Sequence, residues 1–386
     1  MQVSRLYKHA LESIFAYLGL SELGRVSATC RDWCAAVASM RPIGACYGKF
    51  GRDSGWLNMC GSRLRRHVSE IHLAVKPLGV KDMAGLCEVI KTNKSLTAVF
   101  LRGCTIGPFD AVKIAEAIKQ SKSLTTVDLS YNRIGHAGAI AIADAISQSK
   151  SLATVVLCAI SLGTAELVAL SEAIKHSTSL TYLDLRGSCS SNPVALSAVA
   201  DAIKASTSLA TVNLSENVLG DVGASTIAQA IAQSKSLSRL YVNYNQIGQV
   251  GALALARAIK QSTSLAMLDV SGNSIGDEGT VAIAEAIMQS KSMAMVDLHY
   301  NAIGAVGASA VAEAIRKSTS LATVNLKGNT IGAAGASAIA EAVAQSKSIV
   351  MVDLSHNRIG TACTTAIKQS NPRATVILTG NNTKKW

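Results

Sequence analysis

Histidines, cysteines and carboxylates are the side chains of this chain that could carry catalysis or hold a metal ion. The seven histidines stand at positions 9, 67, 72, 136, 176, 299 and 356, which have no common spacing. Only His299 is expected to face inward on a predicted strand, so no nucleophile, base and orienting group can be placed together. The sequence also contains no G-x-x-x-x-G-K-[ST], H-E-x-x-H or G-x-S-x-G motif. We therefore predict no catalysis, no cofactor and no metal site.

The nine cysteines predict reduced thiols rather than a disulfide framework. Their number is odd, and no pair has the C-x-x-C spacing of a zinc or redox site. We expect Cys104 and Cys158 to be buried, because both fall on core or strand positions. Glu12 interrupts the first apolar run, which argues against a signal peptide. No apolar run is long enough to span a membrane, so we predict an intracellular protein, cytoplasmic or nuclear, without a membrane partner.

The net charge of +12 raises the possibility of an acidic partner. Much of this charge recurs in short segments such as IKQSKS (118–123) and IRKSTS (315–320). Lysines near the end of a helix stabilise its dipole, so we interpret these residues as a solvated, structural feature. The prediction is that the chain does not bind nucleic acid.

A repeat of about 28 residues organises most of the chain. One leucine-type position recurs eleven times: at Leu101, Leu129, Leu157, Leu185, Leu214, Val242, Val270, Leu298, Leu326, Leu354 and Leu378. The spacing is 28 residues except for one interval of 29 and a shorter last interval of 24. Counting back one interval reaches Leu73, which suggests a degenerate first repeat. A fixed period of this size predicts a solenoid of stacked repeats.

Each repeat predicts one strand followed by one helix. Residues 126–130 alternate and are rich in β-forming side chains, whereas AIAIADAI (139–146) places apolar residues four apart. We expect Asn132 to bond the backbone of the turn after the strand. Gly138 is expected to allow a positive φ or a close approach of helix and strand.

The pattern L-x-x-L-x-L-x-x-N-x-L followed by a helix resembles the leucine-rich repeat, in its longer ribonuclease-inhibitor-like form. The resemblance covers residues 68–382. It implies an α/β solenoid, a horseshoe with a parallel concave sheet and convex helices. The geometry agrees, because paired strands lie about 4.8 Å apart and packed helices about 8–10 Å apart, so stacking bends the array with its strands inside.

The first forty residues are similar to an F-box. Three groups of residues carry this resemblance: Ile14, Phe15, Tyr17 and Leu18; then Leu23; then Val26, Ser27, Cys30, Arg31 and Trp33. Leu6 and Tyr7 stand where this family usually has Leu-Pro. A small helical bundle that caps the solenoid is the alternative interpretation. The expected domains are an F-box-like module at 1–40, a loop or linker or N-terminal cap at 41–67, and about eleven to twelve repeats at 68–386.

The resemblance implies a non-enzymatic, protein-binding function. F-boxes bind the adaptor subunit of SCF-type cullin–RING ubiquitin ligases, here through residues 6–40, and leucine-rich repeats bind the target protein. The residues expected to bind the adaptor are Leu11, Ile14, Phe15, Leu18, Leu23, Val26 and Trp33. A leucine-rich-repeat scaffold or inhibitor without ubiquitin chemistry, or a regulator of a small GTPase, are the alternatives.

Three side chains per strand are expected to face the concave side, because strand side chains alternate. These rows contain five Asp against four Arg or Lys, so the face is not the basic groove that phosphate binding needs. Arg102 belongs to these rows, and we expect it to bind the target protein. Two patches on this face contain residue types that are typical of protein interfaces, and the second also contains carboxylates that repel each other. We expect both patches to bind the target protein. Ordinary sequence variation at surface positions that accept many residue types would give the same pattern. The first is Tyr182, Asp184, Arg186, Arg239, Tyr241 and Asn243; the second is Met267, Asp269, Met295, Asp297, His299 and Lys327. Carboxylates on adjacent strands repel, so a cationic group of the target is expected at the second patch.

Overall fold

A computed structural model describes residues 45–48, 68–73, 77–189, 191–370 and 374–381 of the chain. It contains strands and helices that alternate along the sequence and form two compact units. Of the described residues, unit 1 contains those up to 162 and residues 177–180, and unit 2 contains residues 163–176 and those from 181 onwards.

Unit 1 holds a parallel sheet whose strands follow the order of the sequence, and from β2 onwards a helix separates each strand from the next. Its elements are β1 (Ala45–Gly48), β2 (Glu70–Leu73), α1 (Val80–Thr92), β3 (Ala98–Phe100), α2 (Pro108–Gln120), β4 (Thr126–Asp128), α3 (Gly135–Gln148) and β5 (Thr154–Val156). β1 lies in the segment predicted to be a loop, and this prediction is wrong for residues 45–48. The strand was missed because it carries no leucine pattern, and it forms by pairing with β2.

Unit 2 repeats the same architecture over a second run of parallel strands, from β6 to β13 in sequence order. Its first elements are α4 (Thr164–His176), β6 (Tyr182–Asp184), α5 (Pro193–Ala205), β7 (Thr211–Asn213), α6 (Gly220–Gln233), β8 (Arg239–Tyr241) and α7 (Gln249–Gln261). The remaining elements are β9 (Met267–Asp269), α8 (Gly276–Gln289), β10 (Met295–Asp297), α9 (Ala305–Lys317), β11 (Thr323–Asn325), α10 (Gly332–Gln345), β12 (Met351–Asp353), α11 (Thr361–Ser370) and β13 (Thr375–Ile377). The predicted leucine-rich-repeat solenoid is confirmed as the fold class.

The leucine pattern places one side of each strand from β2 to β12 in the core. In β10 the middle residue Val296 is fully buried, whereas Met295 is only half-buried. Leu298 follows the strand and Ile283 projects from α8, and both are also fully buried. The first and third residues of each three-residue strand lie on the opposite side. We call that side the open face.

Asparagines form a buried ladder after the strands, as the sequence predicts. Asn329 donates from Nδ2 to the carbonyl oxygens of Leu298 (3.0 Å) and Leu326 (2.8 Å). Its Oδ1 accepts from the backbone N–H groups of Asn301 (2.8 Å) and Ile303 (3.1 Å) in the preceding repeat. One side chain therefore bonds four buried backbone groups, which need hydrogen-bond partners in the core.

Serines connect the segments between helix and strand. Ser318 ends α9, and its hydroxyl accepts from the N–H of Leu321 at 3.1 Å. Ser348 of the next linker donates to the carbonyl of Ser318 at 2.9 Å. The S-x-S linkers are therefore hydrogen-bonded from repeat to repeat, which accounts for their recurrence.

Repeats of unit 2 alternate between two forms from α6 onwards. α6, α8 and α10 begin at a glycine with positive φ, such as Gly276 at +63°, whereas α7 and α9 follow an extended glycine such as Gly304. The carboxylate of Asp277 in α8 accepts from the N–H groups of Gly304 (2.7 Å) and Gly307 (2.9 Å) at the start of α9. A side chain of one helix thus caps the next helix.

Candidate protein-binding surface

The open face of unit 2 carries both predicted patches. Because the strands are only three residues long, the third predicted row, which includes Arg186, Asn243, His299 and Lys327, lies in the turn after each strand. The expectation that this row belongs to the strands is wrong. Several of its serines, such as Ser271, are fully buried, whereas Arg186, Asn243, His299 and Lys327 remain partly exposed.

The first patch is wider than the sequence suggested. Tyr182 pairs with Thr211 of β7, and Thr211 pairs with Arg239 of β8. In the same way, Asp184 pairs with Asn213 of β7, and Asn213 pairs with Tyr241 of β8. The intervening β7 residues therefore belong to this surface, which we call the tyrosine–arginine patch.

Asp184 has a structural part in the tyrosine–arginine patch. Its side chain is only 5% exposed. It accepts from the amide of Asn213 at 3.2 Å and from the backbone N–H of Arg186 at 2.9 Å, and the Tyr182 hydroxyl lies 3.5 Å away. Burial and then the charge of Asp184 raise the pKa of Tyr182, so its phenol stays protonated. The exposed surface that remains here is the ring of Tyr182 with Arg239 and Tyr241, since Arg239 is exposed and Tyr241 is half-buried.

The second patch is brought together as predicted, and we call it the acid–methionine strip. It consists of Met267, Asp269, Met295, Asp297, His299 and Lys327. Met267 and Asp269 of β9 are direct cross-strand partners of Met295 and Asp297 of β10. Two thioethers therefore lie beside two carboxylates on adjacent strands.

The two carboxylates of the strip differ in their partners. Asp297 lies 2.6 Å from Nδ1 of His299 and accepts from the amide of Asn325 at 2.9 Å. Asp269 accepts from the backbone N–H of Ser271 at 2.9 Å, and no ion pair to it forms among residues that the structure describes. Burial raises the pKa of Asp269, whereas hydrogen bonding from Ser271 lowers it. The neighbouring negative charge of Asp297 adds to the increase.

Arg102 lies in unit 1 and has an internal partner. Its guanidinium carbon is 4.4 Å from the centroid of the Tyr131 ring, which is the geometry of a cation–π contact. His72 lies on the open face of unit 1, stacked on Phe100 at 4.3 Å and 2.9 Å from the carboxylate of Glu70. The prediction that only His299 faces inward is therefore wrong, because His72 occupies an equivalent strand face in the degenerate first repeat.

Tyr300 is a surface residue that the sequence interpretation missed. It stands immediately after His299, with φ of +52° and a side chain that is 49% exposed. The two rings meet edge to face at 5.2 Å. The sequence signal was a tyrosine directly before the ladder asparagine, which also occurs at Tyr131 and Tyr244. A bulky residue is uncommon at positive φ, and this tyrosine borders the acid–methionine strip.

The residues expected to bind an adaptor, from Leu11 to Trp33, lie outside the described part of the chain. Within the described ranges, no group of three or more His, Cys, Asp or Glu side chains is arranged to hold a metal ion. None of the helices described is both long and apolar enough to cross a membrane. Cys104 and Cys158 are buried, as predicted.

Comparison with family models finds two matches. An F-box domain model matches residues 3–43, and a leucine-rich-repeat model matches residues 120–143, 205–228, 233–256, 261–284 and 317–340. The chain therefore combines two protein-interaction modules. No curated protein sequence matches the chain.

Two solved structures illustrate its structural neighbours. An internalin (inlF) from Listeria monocytogenes is 14% identical, covers 80% of this chain and 86% of its own, and superposes with a TM-score of 0.47. Actin-binding site 2 of leiomodin-1 is 20% identical, covers 37% of this chain and 84% of its own, and has a TM-score of 0.34.

Proposed function

We propose that this chain, in which an F-box match precedes leucine-rich repeats, is the substrate-recognition subunit of an SCF-type cullin–RING ubiquitin ligase. The observation that carries the proposal is the order of the two modules on one polypeptide, with the F-box at 3–43 and the first matched repeat at 120. Such a chain joins an adaptor to a target, and the rate of ubiquitin transfer rises because the target is held beside the conjugating enzyme.

In this proposal each module has its own contact residues. The adaptor contacts Leu11, Ile14, Phe15, Leu18, Leu23, Val26 and Trp33. The target contacts the tyrosine–arginine patch and the acid–methionine strip of unit 2. Tyrosine and arginine are frequent anchors of protein interfaces, and methionine adapts to varied apolar partners. These properties support a protein rather than a small molecule as the ligand.

Co-purification of the full-length chain with the SCF adaptor tests the proposal. The intact chain is expected to retain the adaptor at micromolar concentration, and the double variant Phe15→Asp/Leu18→Asp is expected to lose it. The matched control is Phe109→Asp, because Phe109 is 85% exposed on α2, outside the F-box match. An intact chain that does not retain the adaptor would contradict the proposal and favour a leucine-rich-repeat scaffold without ubiquitin chemistry.

A further inference from the structure

Three tyrosines occupy the same turn position, and one of them has a different neighbour in the following repeat. Tyr131, Tyr244 and Tyr300 each stand directly before a ladder asparagine, have positive φ (58°, 54° and 52°) and are 49% exposed. The ring of Tyr300 lies against Gly328 of the following repeat, where a Cβ would overlap it. The equivalent residue for Tyr131, 28 positions on, is Ala159. Its Cβ occupies the place that the ring of Tyr300 takes over Gly328.

The ring of Tyr131 contacts a guanidinium of the preceding repeat instead. The guanidinium carbon of Arg102 lies 4.4 Å from the centroid of this ring. The two turns are also joined through the backbone, because the N–H of Gly103 donates to the carbonyl of Ser130 at 2.9 Å. A serine stands at the position of Arg102 before each of the other two tyrosines. We call Arg102 and Tyr131 the arginine–tyrosine pair.

The charge of Arg102 is not neutralised by the described part of the chain. Arg102 is exposed, and its side chain forms no hydrogen bond or ion pair with a described residue. Of the carboxylates on this open face, Glu70 lies 2.9 Å from the ring nitrogen of His72, and Asp128 accepts from the backbone N–H of Ser130 at 2.8 Å. An aromatic ring contacts only the flat face of a guanidinium, so the N–H groups along its edge stay available to a ligand.

An aromatic side chain lies next to the arginine–tyrosine pair on the same face. Phe100 is half-buried at the end of β3, two residues before Arg102, and it stacks on His72 of β2 at 4.3 Å. Phenylalanine, tyrosine and arginine are all enriched at protein interfaces. This part of unit 1 therefore combines an apolar ring with a cation that is held in place and has no partner of opposite charge.

We propose that Arg102 binds an acidic side chain of the target protein. Two oxygen atoms of the ligand accept hydrogen bonds from the edge of the guanidinium, and both a carboxylate and a phosphorylated side chain carry such atoms. Tyr131 is a positioning residue, because its ring restricts the guanidinium before the target arrives and so lowers the entropy lost on binding. This inference rests on the proposed function, since it names the chemistry of the target that the open face recognises.

The test is binding of labelled octapeptides to the full-length chain, measured by fluorescence anisotropy at low salt. The probe contains two Phe-Glu pairs separated by glycine, and a matched peptide has glutamine in place of glutamate. We expect the glutamate peptide to bind about tenfold more tightly than the glutamine peptide, because hydrogen bonds between charged groups are stronger than neutral ones. A third peptide has phosphoserine in place of glutamate. Tighter binding of this peptide would identify a phosphorylated side chain as the ligand, and tighter binding of the glutamate peptide would identify a carboxylate.

Arg102→Gln is expected to abolish the preference for the glutamate peptide. Arg257→Gln is the matched control, because Arg257 is exposed on α7, away from the open face, and its replacement makes the same change in charge. It is expected to leave the preference unchanged. Circular dichroism checks that both variants remain folded, and the comparison of the two peptides on the parent chain does not depend on any variant.

Replacements of the ring test the positioning role of Tyr131. Tyr131→Leu is expected to reduce the preference for glutamate about threefold, since an exposed cation–π contact is lost. Tyr131→Phe keeps the ring and is expected to retain the preference. Tyr244→Leu is the matched control, because an equivalent tyrosine without an arginine is removed, and no change is expected.

Three results would overturn the proposal: no binding of any peptide, equal affinity for the glutamate and glutamine peptides, or equal effects of Arg102→Gln and Arg257→Gln. Retention of the adaptor by the same preparations reports on the ligase function separately. The failure of one proposal can therefore be told from the failure of the other.

Discussion

The ring of Tyr300 lies against Gly328 in the following repeat, where a Cβ would overlap its Cδ1 and Cε1 atoms. Gly328 also has a φ of +70°, which L side chains rarely adopt. Tyr244 and Gly272 form the same pair two repeats earlier. The tyrosine that borders the acid–methionine strip is thus held by a neighbour that has no side chain.

The contact between Tyr300 and Gly328 predicts that Gly328→Ala destabilises the folded protein strongly. The methyl group has to displace the Tyr300 ring and adopt a strained φ, so we expect a loss of about 2–3 kcal/mol in the free energy of unfolding. Gly276→Ala is the matched control, because Gly276 has a φ of +63° and nothing within 4 Å of the added methyl group. It is expected to lose only about 1 kcal/mol. Urea denaturation measures both variants, and equal losses would show that the ring contact is unimportant.

Removing the cap between helices is expected to destabilise unit 2. Asp277→Ala deletes the acceptor for the N–H groups of Gly304 and Gly307 at the start of α9, which costs about 1–2 kcal/mol. Asp277→Asn keeps an acceptor but loses the charge at the helix start, so a smaller loss is expected. Thermal denaturation measures both changes.

The same cap occurs two repeats earlier and provides an independent check. Asp221 accepts from the N–H groups of Gly248 and Gly251, each at 2.8 Å, at the start of α7. Asp221→Ala is therefore expected to cost as much as Asp277→Ala, and Glu278→Ala, on the exposed side of α8, is expected to cost less than about 0.5 kcal/mol. Equal melting temperatures for all three alanine variants would show that the carboxylates of Asp221 and Asp277 do not act as caps.

The asparagine ladder predicts the most damaging substitution. Asn329→Ala leaves the backbone N–H groups of Asn301 and Ile303 without their partner in the core and removes one donor from the carbonyl groups of Leu298 and Leu326. Unsatisfied buried groups cost about 1–3 kcal/mol each, so a loss of about 4 kcal/mol is expected even after relaxation. Ser274→Ala, at an exposed turn position, serves as the control and is expected to change stability by less than about 0.5 kcal/mol. A chain that unfolds at the same urea concentration as the control would refute the role given to Asn329.

Asp269→Asn is expected to stabilise the protein at neutral pH. The pKa of Asp269 is raised in the folded chain, so ionisation above that pKa destabilises the fold. This penalty disappears as the pH falls through the folded pKa to the ordinary value of about 3.9. The variant should therefore melt at a higher temperature than the parent at pH 7, and the difference should vanish below about pH 4.

The control for this pH effect is Asp128→Asn. Asp128 makes the same hydrogen bond to the N–H two residues on, but its cross-strand neighbours are Phe100 and Val156 rather than a carboxylate. No gain in melting temperature is expected from it. A constant difference between Asp269→Asn and the parent across the pH range would contradict the electrostatic explanation.

The repeat period was sufficient to predict the strands and helices of the repeats and that the first and third residues of each short strand share the open face. It could not predict how deeply each residue is buried, because depth depends on side chains one repeat away. Asp184 and Asp297 are nearly buried, since the amides of Asn213 and Asn325 hold them against the sheet. The alternation of side chains along a strand determines on which side of the sheet a residue lies. Hydrogen bonds to side chains of the neighbouring strand determine how much of it is exposed to solvent.

Two other features had no signal in a single repeat. β1 lacks the leucine spacing and exists through its pairing with β2. Tyr300 was missed because it lies one position beyond the predicted rows, in a turn whose φ allows its ring to reach back over the surface. Only comparison between repeats shows that such tyrosines alternate with glycines.

The alternation of repeats in unit 2 sets the step in which such a chain can grow or shrink during evolution. Loss of the single repeat around Gly272 would place Tyr244 directly before Tyr300, so two rings would compete for a space that fits one. The same loss would delete Asp277, whose carboxylate caps the start of α9 at Gly304. Gln249 would then hold the position of Asp277 in the repeat before α9, and it has no carboxylate. Loss or duplication of two consecutive repeats keeps each of these tyrosines beside a glycine and each capping aspartate in the repeat before the helix that it caps. The inheritable unit of this solenoid is therefore the pair of repeats, and related chains should differ in length by whole pairs.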